Sequence, residues 1–357
     1  MEALSAYFSE VIITCPFTTC KIDSVYTTYK AAHIKFIPLP IVGGDTIKQK
    51  LKILTAFPKW FKTYKQLGYW ADIVYMRLPD NVSLPAFFYY LFKRKSAFIT
   101  YTGTWDNYKG EALTWRLEKW LLRNVFKGPC WVYTNKPLTL NHFHKGISPS
   151  YNRNYWHSQT MLVEKKKNDF YNGKEVLRFI TVGALVPHKN QVAIIEACKL
   201  LKEKQQLFEL TIVGGGPLFK LYKQKIEELG LEKEVVLAGK KTRNELAELF
   251  IEADFVIQMP YQEPYGKVPI EGWFYGLIPI LSNVGVSEAF TGDGKFGYLC
   301  SPADIQKLAE IMHSLYINQQ RFVDMIDAGR MFAFHNTLED WAEQYNSVIT
   351  STYVRTN

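Results

Sequence analysis

The chain of 357 residues is long enough for two domains of ordinary size, each with its own core. An apolar fraction of 47% with 22% charged residues is that of a soluble globular protein and excludes a disordered one. The net charge of +9 invites an anionic partner, but no helix-turn-helix, RNA-binding or zinc signature accompanies it, so nucleic acid is not expected.

The opening stretch, "MEALSAYFSEVIITC", carries a glutamate at once and lacks a basic leader and a small-residue cleavage site, so no secretory signal is expected. It reads as the last turns of a helix leading into a strand, as if the domain lacked its first strand or the start were truncated. Strands are predicted over "EVIITCPF", "HIKFIPLP", "ADIVYMRLP", "KSAFITYTG" and "CWVYTN". Between Asp45 and Asp72 there is no acid, while Lys48, Lys50, Lys52, Lys59, Lys62 and Lys65 lie among Trp60, Phe61, Tyr64, Tyr69 and Trp70. That pattern fits a solvated helix face, or a surface resting on anionic lipid with rings at the headgroup level. The apolar run "LPAFFYYLF" is far short of the roughly 20 residues a spanning helix needs. His142 and His144 read as loop residues with no third metal ligand nearby. The polar, basic stretch from His144 to Glu175 reads as a linker, with the domain boundary near Asn168–Gly173.

Beyond it, strands are predicted over "LRFITVGAL", "FELTIVGGG", "EVVLAGK", "ADFVIQMP" and "IPILSNV", with helices over Gln191–Lys204, Leu218–Leu229 and Asn244–Glu252. Strand–helix alternation of this kind implies parallel sheets covered on both faces. The expected class is α/β, with Rossmann-like domains over residues 1–170 and 171–337 facing each other across a cleft. Cys15, Cys20, Cys130, Cys198 and Cys300 are scattered, without CxxC pairs, which suggests reduced thiols in a cytosolic protein.

The chemistry concentrates in "YQEPYGKVPIEGW", residues 261 to 273, where Glu263 and Glu271 stand eight positions apart. A loop at the end of "DFVIQMP" would carry Glu263, and a helix opening near Gly266 would hold Glu271 about one turn inside, with Pro269 tolerated in the first turn. Continuous helix would separate the carboxylates by roughly 12 Å, so they would hold different parts of an extended ligand. The N–H groups of Gly266, Lys267 and Val268 at the helix start could donate to an anion or to hydroxyls.

"EPYGKVPIEGWFYGLIPILSNVGVSEAF" resembles the E-x7-E signature of the retaining GT-B glycosyltransferases of glycosyltransferase family 4, through Gly276 and Pro279 to Gly285 and Glu288. "FITVGALVPHKNQ", with Gly183 and Lys189, is similar to the family's donor loop, and "TIVGGGP", with Gly214, to its next glycine turn. The similarity covers residues 177 to 300; the first half shares only the strand–helix rhythm.

The resemblance implies a GT-B fold, a donor-binding second domain, and a final helix over residues 338–357 packing back on an acceptor-side first domain. Glu263 and Lys189 would be the catalytic pair. Lys189 would neutralise the departing diphosphate, Glu271 would bond the ribose hydroxyls, and Glu263 with the amides of Gly266, Lys267 and Val268 would hold the donor sugar. Gly183, Gly214 and Glu288 complete the expected donor side. The family usually has an arginine where this chain has Ala184, and Lys267 is a candidate substitute. "ITYTGTWDNY" could face the acceptor through Thr102, Trp105 and Asp106.

The implied partners are a nucleotide-diphosphate sugar and a glycan or lipid-linked acceptor, as in cell-surface polysaccharide synthesis. The basic aromatic stretch adds an anionic membrane surface, hence a cytoplasmic protein peripheral on the inner face of the membrane. Neither metal nor cofactor is expected, since no DxD-type carboxylate pair sits on a strand-end loop. Taken singly, each feature has a plain alternative: a surface carboxylate at Glu263, a tight turn at Gly214–Gly216, a solvated helix start at His188 and Lys189, a helix-end acid at Glu288. Their joint order and spacing favour the enzyme over a non-catalytic GT-B binding subunit or a sugar-nucleotide epimerase.

Overall fold

The computed structural model describes residues 1–16, 29–40, 42, 47–80, 82–108 and 110–353, with the backbone alone over 47–52. Cys20, Asp45 and the side chains of Lys48, Lys50 and Lys52 lie outside the described residues. The chain divides into two compact units, Met1–Ile147 with Glu339–Asn357, and Ser148–Leu338.

In the first unit, α1 (Glu2–Ser5) precedes a parallel pair, β1 (Val11–Pro16) and β2 (Ile34–Leu39). There follow α2 (Ile47–Trp70), β3 (Val74–Leu78), α3 (Ser83–Phe92), β4 (Ala97–Tyr101), α4 (Leu113–Asn124), β5 (Cys130–Val132) and β6 (Phe143–Lys145). β3 to β6 form a parallel sheet in chain order.

The second unit contains α5 (Arg153–Ser158), α6 (Thr160–Asn172), β7 (Val176–Val182), α7 (Gln191–Glu203), β8 (Leu207–Val213), α8 (Phe219–Glu228), β9 (Val235–Gly239) and α9 (Arg243–Glu252). It continues with β10 (Phe255–Gln258), α10 (Lys267–Phe274), β11 (Ile278–Ser282), α11 (Ser287–Thr291), β12 (Tyr298–Cys300), α12 (Ile305–Ser314) and α13 (Arg321–Phe334). The last helix is α14 (Leu338–Tyr353). All six strands of this unit are parallel, in the order β12-β11-β10-β7-β8-β9.

Period-two alternation explains how β4 is covered on both faces. Ile99 and Tyr101 point into a core with Trp60 and Tyr64 of α2, Phe87 and Tyr90 of α3, and Leu121 and Leu122 of α4. Phe98 points the other way, into a core with Leu4, Trp131, Trp341 and Tyr345. There the Tyr345 ring of α14 stacks on Trp131 at 3.8 Å. One sheet face therefore carries α2, α3 and α4, and the opposite face carries α14.

The stretch read as a linker is helical instead. α6 buries Val163 and Phe170 in the core of the second unit, and the contact boundary falls at Ile147/Ser148 rather than near Asn168–Gly173. The stretch looked non-periodic because one buried position is a lysine. Lys166 donates to the Phe250 and Ala253 carbonyls at the end of α9, bonds that satisfy a helix terminus, and burial pulls its pKa down to about 7. Of the two histidines read as loop residues, His142 does lie in the turn before β6, whereas His144 does not lie in a loop. His144 lies in β6 with its ring 5.2 Å from Trp131, and burial lowers its pKa. The His142 ring bonds the Leu122 carbonyl at 3.0 Å.

α4 also turns an acid inward. Glu118 is 3% exposed, and burial, reinforced by the Asp80 charge, pushes its pKa up to about 8. Tyr101, Glu111 and Lys119 line the same region. The folded chain then holds a proton that the unfolded chain releases from the ordinary carboxyl value of 4.5 upward, so the native state binds more protons between pH 4.5 and about 8. Stability should fall as pH rises through that window. Glu118→Gln should flatten the fall, read as urea midpoints at either end; equal slopes in both proteins would mean an ionised Glu118.

Candidate functional site

Three strands of the second unit run β7, β8, β9 to one side, and the next three run β10, β11, β12 to the other. The order reverses between β7 and its parallel neighbour β10, and ligands of open α/β sheets bind beyond the carboxyl ends at such a switch point. Lys189 and Glu263 lie on the two loops that leave it. A single 3-10 turn, Pro187–Lys189, carries the lysine after β7. The residues from Met259 to Gly266 carry the glutamate between β10 and α10.

Main-chain and side-chain bonds lock these loops together. Gln258 donates to the Val182 carbonyl at 3.1 Å, and the Tyr261 N–H donates to the His188 carbonyl at 2.9 Å. Lys189 and Glu263, each about a quarter exposed, form an ion pair. From the far side, the Ser282 hydroxyl donates to the Pro260 carbonyl at 2.8 Å. Gly285 approaches the Glu263 carbonyl so closely that a Cβ would stand 2.0 Å from its oxygen.

The glycine turns are built by the same crowding. A Cβ on Gly214 would lie 1.8 Å from the Gly183 carbonyl oxygen, so the loops after β7 and β8 touch backbone to backbone. The Gly183 N–H donates to Val213 and the Leu185 N–H to Gly215, at 2.9 and 3.0 Å.

α10 opens at Lys267 after Gly266, whose φ of +71° suits glycine and leads the chain from loop to helix. The helix's first-turn N–H groups, from Lys267 and Val268, have no intrahelical carbonyl to meet. Glu271 sits inside α10 and accepts a hydrogen bond from the Ser150 hydroxyl. Arg243 supports that serine: its guanidinium donates to the Ser150 carbonyl at 2.9 Å and lies 4.7 Å over the Tyr151 ring. Nothing in the 148–151 segment marked it in the sequence; it lies 121 residues from Glu271, and no local pattern encodes such a pairing. Glu288, on α11, is exposed and makes no side-chain hydrogen bond or ion pair among the described residues. The structure thus joins Gly183, Lys189, Gly214, Glu263 and Gly266 in contact, holds Glu271 through Ser150, and leaves Glu288 outside these contacts. Lys267 is exposed at the helix start.

The loop after β4 belongs to the first unit. The Thr102 hydroxyl donates to the Leu78 carbonyl at 3.1 Å. Asp106 pairs with Lys136 at 3.1 Å. Trp105 is buried, its ring 5.0 Å from Phe143 and 4.5 Å under the Arg123 guanidinium, so its indole is committed to the core. Beneath the loop, a buried Lys119–Glu111 ion pair brings the ammonium within 3.3 Å of the Trp105 carbonyl and 3.4 Å of that of Asp106.

Residues 163–332, just under half of the chain, match the family described as "Glycosyl transferases group 1". The amylovoran biosynthesis glycosyltransferase AmsK of Erwinia amylovora is 31% identical over 162 residues, covering 43% of this chain and 39% of that protein. The chain thus spans about two fifths of that relative's length. The sucrose-phosphate synthase of Thermosynechococcus elongatus superposes with a TM-score of 0.75 at 17% identity, covering 99% of this chain and 92% of the other. Anabaena HepE, solved in complex with UDP-glucose, does so at 0.68 and 18%, covering 89% and 86%. The fold is therefore the two-domain α/β fold of the GT-B glycosyltransferases, with Rossmann-like sheets, and what the comparisons support is a glycosyltransferase.

Proposed function

We propose that the chain is a retaining glycosyltransferase of family 4 that moves a sugar from a nucleotide-diphosphate donor to a hydroxyl of a glycan or lipid-linked acceptor in polysaccharide synthesis. The observation that carries the reading is the meeting of Lys189 and Glu263 at the strand-order switch point, with the start of α10 and Glu271 directly following. Breaking the C1–O bond gathers negative charge on the diphosphate. A lysine and helix-start N–H dipoles fixed beforehand stabilise that charge without reorganising. No cofactor is assigned, since Lys189 and the α10 terminus fill the electrostatic role. Glu263 holds donor hydroxyls, and Glu271, oriented by Ser150, takes the ribose. Where the family has an arginine this chain has Ala184, and Lys267 at the start of α10 is the cation we assign in its stead.

In this reading the sugar bonds to the acceptor on the face the diphosphate leaves, without a covalent enzyme intermediate, and the protein works at the inner membrane surface. Thr102 and Asp106 are the acceptor-side candidates, and the buried Lys119–Glu111 pair holds their loop.

Calorimetric titration with UDP, GDP and ADP tests the donor side. One of the three should bind, UDP being the first to try because HepE was solved with UDP-glucose. Loss of a hydrogen bond to a charged group costs about 1.5–3 kcal/mol, so Glu271→Ala should weaken binding roughly 10- to 150-fold. No binding by the wild type would remove the donor pocket and favour a non-catalytic subunit.

A further inference from the structure

We propose that Lys240, the residue after β9, binds a phosphate of the nucleotide donor. The inference rests on the transferase reading and adds to it a cation from the β9 side of the sheet.

Beyond the ends of β7 and β8 the backbone is bare. Gly183 follows β7, and Gly214, Gly215 and Gly216 follow β8. The two stretches touch where a Cβ on Gly214 would meet the Gly183 carbonyl oxygen. The Gly214 N–H donates to the Gly239 carbonyl at 2.8 Å, which draws the end of β9, and Lys240 with it, against the same turn. Ala184 adds only a methyl group. Among the described residues, the N–H groups of Ala184, Gly215 and Gly216 meet no acceptor. A shelf of this kind lets an anion approach main-chain donors closely.

Two lysines flank the shelf. A Cβ on Gly183 would lie 3.9 Å from Cδ of Lys189. One on Gly215 would lie 3.0 Å from Cε and 3.1 Å from Cγ of Lys240. The Lys240 stem therefore runs along the glycine, and its ammonium group, bonded to Cε, stays beside the shelf.

Charge balance separates the two. The Lys189 ammonium is already paired with Glu263, so together they present no net charge. Lys240 is exposed and has no carboxylate partner among the described residues. The acids that flank it are committed elsewhere. Glu234 pairs with Lys202 at 2.8 Å, and Glu245 with Lys241 at 3.4 Å and with the Thr242 N–H at 2.8 Å. Lys240 is thus the uncompensated cation of the shelf, and an incoming phosphate is the anion it suits. Lys267 follows β10 on one side of β7, whereas Lys240 follows β9 on the other, so the two charges add.

Calorimetric titration of the full chain with UDP, GDP and ADP tests the assignment. Lys240→Met should weaken whichever nucleotide the wild type binds by about tenfold. The deficit should shrink at raised salt, because an exposed charge pair is screened. Lys240→Arg should restore most of the affinity. Lys241→Met is the control, since it removes the same charge one residue away, from a lysine held by Glu245, and binding should not change. Urea midpoints of the three variants should stay near wild type. A Lys240→Met protein that binds like wild type would overturn the assignment and leave the donor pocket standing. An equal loss in Lys241→Met would also overturn it, by tracing the effect to net charge. A deficit that persists at raised salt would do so too, by placing Lys240 on the base or ribose. A wild type that binds none of the three nucleotides would instead remove the donor pocket, and the role of Lys240 with it.

Discussion

Lys189→Met should lower sugar transfer by about 10²–10³ in kcat, the usual cost of removing one preorganised group aimed at developing charge. Glu263→Ala should abolish measurable turnover, because it removes the group we assign to the donor sugar and frees the lysine it pairs with. The two side chains form one ion pair, so the double variant should be scarcely worse than the more damaging single one. Folding should barely respond. The pair is about a quarter exposed, and such pairs are worth ~0–1 kcal/mol, so melting temperatures should stay near wild type. Initial rates with the nucleotide sugar identified by titration, read beside thermal melts, check both halves. Variants that transfer sugar at the wild-type rate would move the catalytic role to other residues, and a wild type that transfers none would leave the protein as a binding subunit.

Gly285→Ala should be strongly damaging although it adds a single methyl group. Its φ of +59° costs an L-residue about 1–2 kcal/mol. The new Cβ would stand 2.0 Å from the Glu263 carbonyl oxygen, and overpacking of this kind costs typically 1–3 kcal/mol more. A loss of about 2–5 kcal/mol follows from adding the two. If the loop yields instead of the fold, Glu263 moves and transfer falls. Gly230→Ala is the control: its φ is +62° and nothing lies within 4 Å of a Cβ there, so only the backbone cost applies. Urea titration of the two variants should separate them by at least 1 kcal/mol, the low end of the overpacking cost. Equal stabilities would show that the two loops do not touch at Gly285.

What could be read from the sequence was whatever repeats locally. Parallel strands buried on both faces are continuous apolar runs, so "LRFITV" and "FELTIV" declare themselves without partners. The loop-to-helix passage around Glu263 and Glu271 was legible because Gly266 and Pro269 punctuate it. β6 and β12 were missed because three residues hold no period, and α6 because a buried lysine breaks its apolar stripe. That Lys189 faces Glu263 was settled only by the sheet, where β10 lies beside β7 instead of beside β9. Ser150 against Glu271 and Gly285 against the Glu263 carbonyl are tertiary in the same way. Propensity and periodicity act over a few residues along the chain, whereas these contacts depend on which strands become neighbours, and that is decided by burying both faces of the whole sheet at once.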